Sequence, residues 1–449
     1  MSQRKAWVAA VCTVATLGTV AIGAAPLASP ALASSAKTDS AAGAPTFYQD
    51  VLPVLQQNCQ TCHRPSGLNL GGMIAPMPLV SYADTRPWAK AIAKAVETRM
   101  MPPWHAAPQF HGVFLNERTL ADAEIETIVR WAKAGAPAGD EAAAPPPLQW
   151  PSSEWSLGEP DLVLKLAEPF HVKDDLRDLN INLPAQEVTI DEDKYITAIE
   201  YKPATTAVHH IIGFAVLPDE TGDGPGGMQM LSGIAPGSDP SDFPEGYGIL
   251  LPKGSKVIFQ MHYHKEPGPG TEVWDQSSVA MKFSEKPVRR LYVSAVGDRS
   301  KMYLPANTKD VRITSEELFD KSITIMGLLP HMHYRGDYSL YVAKLPDGSA
   351  KPFLEVPQYD FNWQTRYKFR EHLVLPAGTT IAVTMGYDNT ADNPNNPDPN
   401  AEVSWGDSTD DEMNLGFLYW AYTNPGDDDG GPTRFRRARA DQGAETSGE

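Results

Sequence analysis

The spacing of apolar positions changes twice along this chain. Residues 6–25 are almost unbroken Ala, Val, Gly and Thr. Stretches 47–57, 87–98 and 120–134 then repeat their apolar residues at helical spacing. In the last, Ile125, Ile128, Val129 and Trp131 share one face. Beyond Pro145-Pro146-Pro147 the period shortens. Runs at 161–166, 195–201, 207–217, 256–264, 278–283, 322–329, 338–345, 371–375, 379–386 and 415–422 read as strands, punctuated by Gly, Pro, Asn and Asp. Short strands with frequent turns and no long helix predict antiparallel sandwiches or jelly rolls. A β region of this length suits two of them, 158–298 and 299–425. The Pro-rich 141–157 predicts a stiff linker, and the Gly-, Asp- and Arg-rich 426–449 a disordered tail.

Composition narrows the partners. The chain has 449 residues and a net charge of −18, with 42% hydrophobic and 21% charged residues. No basic patch is present, which argues against a nucleic-acid partner. Arg4 and Lys5 precede the first apolar run and Ala31-Leu32-Ala33 follows it. That order predicts a signal peptide over 1–33, cleaved near Ala33, and a periplasmic or secreted protein. A retained anchor stays open, because the run nears spanning length. Of the three cysteines one, Cys12, lies in that run, so no disulfide framework is available to the body of the chain.

Cys59-Gln60-Thr61-Cys62-His63 holds the other two, and C-x-x-C-H is the c-type haem attachment pattern. Two thiols bond the vinyl groups on one edge of the macrocycle, and the adjacent histidine reaches the iron as an axial ligand. With its flanking helices, the segment 46–140 resembles a small class I cytochrome c carrying one covalent haem c. That resemblance implies a methionine as the second axial ligand. Met101, in Met100-Met101-Pro102-Pro103, is the choice; Met100, Met73 and Met77 stay open. The fold class expected overall is therefore a small all-α cytochrome c domain followed by two all-β antiparallel jelly-roll sandwich domains.

Six of the 11 histidines fall in three short clusters: His209-His210, His262-Tyr263-His264 and His331-Met332-His333. Residues two apart on a strand share a face, so His331 and His333 can reach one metal. Adjacent His209 and His210 need a bulge, a twist or a strand end to do so. Met413, in Asp411-Glu412-Met413, offers a thioether, a soft ligand favouring Cu(I). In this order the motifs resemble the copper type II, ascorbate-dependent monooxygenases, which include peptidylglycine α-hydroxylating monooxygenase and dopamine β-monooxygenase. The resemblance covers about residues 158–425. It implies two copper ions: an electron-transfer copper on His209, His210 and His262, and an oxygen-binding copper on His331, His333 and Met413. It also implies that these last three carry catalysis, with O2 and a small organic substrate as reactants. Ascorbate or a donor protein would supply electrons, relayed from haem to the first copper and on to the second. His264 has no assigned role and could replace His262. His105, His111, His171 and His372 match nothing. The alternatives are a non-catalytic periplasmic copper/haem electron-transfer protein, or a cytochrome joined to a metal-free β-sandwich binding module.

Overall fold

The computed structural model describes residues 43–428, apart from 66–74, 151–153, 189, 191, 219–224 and 287. The expected signal peptide, the tail after 428 and Met73 lie outside the described residues. The described residues from Ala44 onward form one compact unit. Among the described residues, no helix is long and apolar enough to cross a membrane.

Strands dominate, and four principal sheets organise the β body. One sheet is built around Lys194–Lys202 and Ser278–Phe283. The next pairs Asp178–Pro184, Lys256–His264, Val208–Pro218 and Pro225–Ile234 in that order. The apolar residues between these two sheets form a first core that includes Ile199, Ile211, Phe259 and Met281. A third sheet orders Tyr292–Val296, Leu415–Tyr422, Ile323–His331 and Tyr367–Leu375. A fourth orders Val311–Phe319, Thr379–Tyr387, Gly336–Lys344 and Ala350–Val356. A second core lies between them, with Ile325, Leu328, Tyr341 and Val383.

The third sheet serves both cores. Along Leu415–Tyr422, Leu418 and Trp420 join the second core, whereas Phe417, Tyr419 and Ala421 join the first. On Ile323–His331, Ile323, Ile325 and Leu328 face the second core and Met326 and Leu329 the first. A strand buried on both faces needs a nearly continuous apolar run, and 323–330, interrupted by Thr324, supplies one.

These features correct the expected fold class. Short helices stand at the predicted places, Leu52–Asn58, Ala89–Glu97 and Asp122–Lys133, and bury Leu55, Ile92, Ile128 and Trp131 together. They do not make a separate all-α domain. Between the last two helices the chain leaves its helical neighbours and buries Ala107, Phe110 and Phe114 in the second β core. The Leu115 N–H donates to the Lys368 carbonyl at 2.7 Å and the Arg370 N–H to the Val113 carbonyl at 3.0 Å, extending the third sheet at its edge. The two sandwiches share the third sheet as a common wall. The protein is mainly β, with short helices stitched to its rim.

Candidate metal centre

The second and third sheets bring their inner faces together, and all six clustered histidines stand where they meet. His209 reaches this place through a bulge. Val208 pairs with Tyr263 and His210 with His262, so His209 is an extra residue between consecutive partners. The bulge turns adjacent side chains to one side, as joint ligation requires. Single ligand atoms of His209, His210 and His262 all lie within 4.8 Å of one another.

Hydrogen bonds decide which ring nitrogens remain for a metal. His262 is fully buried, and its Nε2 donates to Asp178 Oδ2 at 3.0 Å. Its Nδ1 then keeps a lone pair, and it faces the Nδ1 of His210 at 3.0 Å. His209 Nδ1 is buried without a partner. The Nδ1 atoms of His210 and His262 thus face each other, and His209 brings a ring nitrogen to the same trio. The second cluster is arranged the other way round. His331 Nδ1 donates to Gln364 Oε1 at 2.7 Å, and His333 Nδ1 to the Asp411 carbonyl at 3.1 Å. The Gln364 amide is oriented by its own Nε2, which donates to the Phe361 carbonyl at 3.1 Å. Lone pairs remain on Nε2, and His333 Nε2 is buried with no partner. A buried imidazole nitrogen left unpaired costs free energy unless something binds it. Met413 lines the same cavity as His331 and His333. The ring centroids of His331 and His333 are 5.3 Å apart, and those of His210 and His331 are 6.2 Å apart. These donors suit borderline-to-soft metal ions, and each ligating histidine that donates its second nitrogen does so to an oxygen acceptor.

Electrostatics agree with neutral, metal-ready rings. Burial first, and the neighbouring imidazoles second, hold His209 and His210 well below the ordinary histidine range. Burial likewise brings His333 down to about 3. Asp178 goes the opposite way. Burial raises its carboxyl, but hydrogen bonds from His262, His264 and Thr409 outweigh this and hold it ionised.

A buried frame fixes the second cluster. Glu412 is fully buried, and it accepts from the His333 N–H at 2.8 Å and the Arg335 N–H at 2.6 Å. Burial pushes its carboxyl up to about 7. The Arg335 side chain, also buried, donates to Asn389 Oδ1 and to the Asp410 carbonyl. Together they clamp the segment before Met413 against the turn after His331.

His264 joins a second trio, with Asp178 and His262. Its Nδ1 donates to Asp178 Oδ2 at 3.0 Å, and its Nε2 accepts from the Tyr334 hydroxyl at 3.1 Å. The two halves of the β body are tied here, because Thr409 also donates to Asp178. His105, His111, His171 and His372 stand apart from this cluster; His171 stacks on Trp274 and His111 bonds Glu117. The sequence reading missed Asp178 and Gln364, which orient ligands from 84 and 33 residues away. The alternation Asp178-Leu179-Asn180-Ile181-Asn182-Leu183 was the signal for a strand that carries one of them.

At the other motif, Cys59 and Cys62 are free thiols in the turn that ends Leu52–Asn58. Burial pushes Cys59 up to about 12 and raises Cys62 as well, so neither is poised as a redox thiolate. His63 Nδ1 donates to the Met77 carbonyl at 3.0 Å, leaving Nε2 as its ligating atom. Met77 thus orients the histidine through its backbone carbonyl. Met100 is 66% exposed. Met101 is half-buried, its N–H on the Ala95 carbonyl, and no described contact joins it to His63.

Comparison with known proteins adds no family. No family model and no characterised relative matches the chain. Among solved structures, the infectious bursal disease virus VP2 subviral particle is similar at 10% identity and TM-score 0.19, over 58% of this chain and 71% of that one. The PBSX exported protein XepA gives 8% identity and TM-score 0.15, over 50% and 85%. The oxalate decarboxylase of Bacillus subtilis gives 8% and 0.12, over 59% and 78%. Similarities this low say nothing about function.

Proposed function

We propose that the chain is an exported, haem- and copper-containing monooxygenase that hydroxylates a C–H bond with O2 and external electrons. The division of ring nitrogens carries this reading. The Nδ1 atoms of His210 and His262 face each other with a ring nitrogen of His209 close by, while His331 and His333, their Nδ1 atoms committed, share a cavity with Met413. The order of these residues resembles the copper type II, ascorbate-dependent monooxygenases. Copper in the two sites would supply oxygen activation, and haem c held by Cys59, Cys62 and His63, with Met101 as a further ligand, would supply electrons.

This chain's own residues prepare the sites. Asp178, Gln364 and Asp411 fix the ring tautomers by accepting the second N–H of His262, His331 and His333. Phe361 stacks on His209 at 4.7 Å and helps to exclude water. A polar route links the haem motif's neighbourhood to the second site. Arg118 donates to Asp239 at 2.6 Å, the adjacent Ser238 hydroxyl donates to the Gln364 carbonyl at 2.9 Å, and Gln364 holds His331. That route supports a fixed working distance between haem and copper sites.

The test is the copper-to-iron ratio of protein matured with haem in a periplasm and reconstituted with copper. About two coppers per haem iron are expected, falling by one in the His331→Ala/His333→Ala double variant. Copper near zero in the wild type would overturn the reading and favour a cytochrome joined to a metal-free module. Two coppers without substrate-dependent O2 uptake would favour an electron-transfer protein.

A further inference from the structure

The cavity between the two middle sheets has about 200 Å³ of room and opens beside the ligand histidines. Its lining follows from strand alternation. Counting by twos from His210 places Ile212 and Phe214 along its wall. Counting back by two from His331 places Leu329 there. Counting forward from Met413 places Leu415 and Phe417 there. The strands that carry the candidate ligands therefore continue, on the same face, as hydrocarbon.

Charge is missing from the interior. No Lys or Arg lines the cavity among the described residues, so a carboxylate or phosphate would find no counter-ion. The acidic group in the lining, Asp407, is exposed to solvent at the mouth. The Asn180 amide nitrogen is spent on the Asp407 carbonyl, and Gln364 on His331 and the Phe361 carbonyl. Gln260, half-buried on the strand of His262, is the remaining polar amide. An apolar cavity of about 150 Å³ accepts benzene, so this one matches a single ring bearing a short alkyl chain.

We propose that this cavity binds a small uncharged hydrocarbon of the alkylbenzene class, held with a C–H bond toward His331, His333 and Met413. This rests on the monooxygenase reading above and gives that reading its substrate class. The reaction would be R–H + O2 + 2 e⁻ + 2 H⁺ → R–OH + H2O. The C–H bond and the O–O bond break, a C–O bond forms, and the electrons come from the external one-electron donor.

The experiment measures binding to the full-length, haem- and copper-loaded protein by calorimetry and by the Cu(II) paramagnetic resonance spectrum. Ethylbenzene is the probe, with benzoate and benzylamine as charged analogues of similar size. Ethylbenzene is expected to bind and perturb the spectrum, and each charged analogue to bind at least 100-fold more weakly. Leu415→Trp, which fills the cavity, should weaken ethylbenzene at least 10-fold with copper content unchanged. Should that variant misfold, Ile212→Ala enlarges the cavity and should shift preference from ethylbenzene toward butylbenzene. No ethylbenzene binding, equal binding of the charged analogues, or indifference to both folded variants would overturn the substrate class. Binding without O2-dependent product would instead refute the oxygenase reading and leave the hydrocarbon site standing. Product from charged substrates alone would do the reverse.

Discussion

The Nδ1 atoms of His210 and His262 face each other at 3.0 Å, and the opposite nitrogen of His262 is committed to Asp178. In metal-free protein a proton must lie between the two Nδ1 atoms, and a metal ion there moves it to the far nitrogen of the His210 ring. The ring keeps its single N–H, so loading the first site at pH 7 should release almost no proton. Lightly buffered titration with copper checks this. His210→Ala should lower the copper content by about one per chain.

Asp178 fixes the tautomer of His262, and losing such a partner weakens metal binding about 10–100-fold. Asp178→Asn should reduce affinity at the first site by that factor and leave the second site filled. Competition with a chelator of known affinity reads this directly. Equal losses at both sites would mean that Asp178 acts by holding the halves together, not by orienting His262.

The histidine cluster predicts a pH dependence. Burial lowers His209, His210, His331 and His333 below their unfolded value. A histidine lowered on folding contributes stability above about pH 6.5, and that stability is lost as pH falls. Metal-free protein should melt progressively lower from pH 7 to pH 5. Glu412, raised to about 7, contributes the opposite slope over part of this range. Glu412→Gln should therefore steepen the acid loss. Thermal melts across the series check both signs.

Removing the Glu412 acceptor altogether is a different perturbation. Glu412→Ala leaves the N–H groups of His333 and Arg335 buried without partners, at a cost of about 1–3 kcal/mol each. Urea unfolding should show that loss, and copper at the second site should fall with it. Glu412→Gln keeps an acceptor oxygen and should retain most of both.

Phe114 is fully buried in the second β core although it belongs to the helical stretch. Phe114→Ala should cost about 3–5 kcal/mol. If the helices and the second core form one cooperative unit, haem absorbance and far-ultraviolet ellipticity will be lost together. Two separated transitions would show that the helices fold independently.

Much of the β framework was legible because its periods are strong. The strands Lys256–His264, Ser278–Phe283 and Leu415–Tyr422 match their predicted ends. The need for a bulge at His209-His210 was also readable, since alternation forbids neighbours from sharing a face. What failed was the expectation of a separate all-α domain. The stretch 104–116 has no periodicity, so nothing in it announced that Phe110 and Phe114 would enter a β core. The mostly apolar run 323–330 did carry a signal for burial on two faces, but a sandwich edge and a shared wall need the same residues. Asp178 and Gln364 were beyond reach because their roles exist only after distant strands have met.

The wall shared by the two cores also decides how the protein can be dissected. A fragment ending near residue 298 would present the surfaces meant for Met326, Leu329, Phe417 and Tyr419 as bare oil. A fragment beginning there would present those four side chains themselves. Each would be a sticky half that aggregates before it could be assayed. The two halves must be translated and folded as one piece, and neither can be borrowed as a cassette.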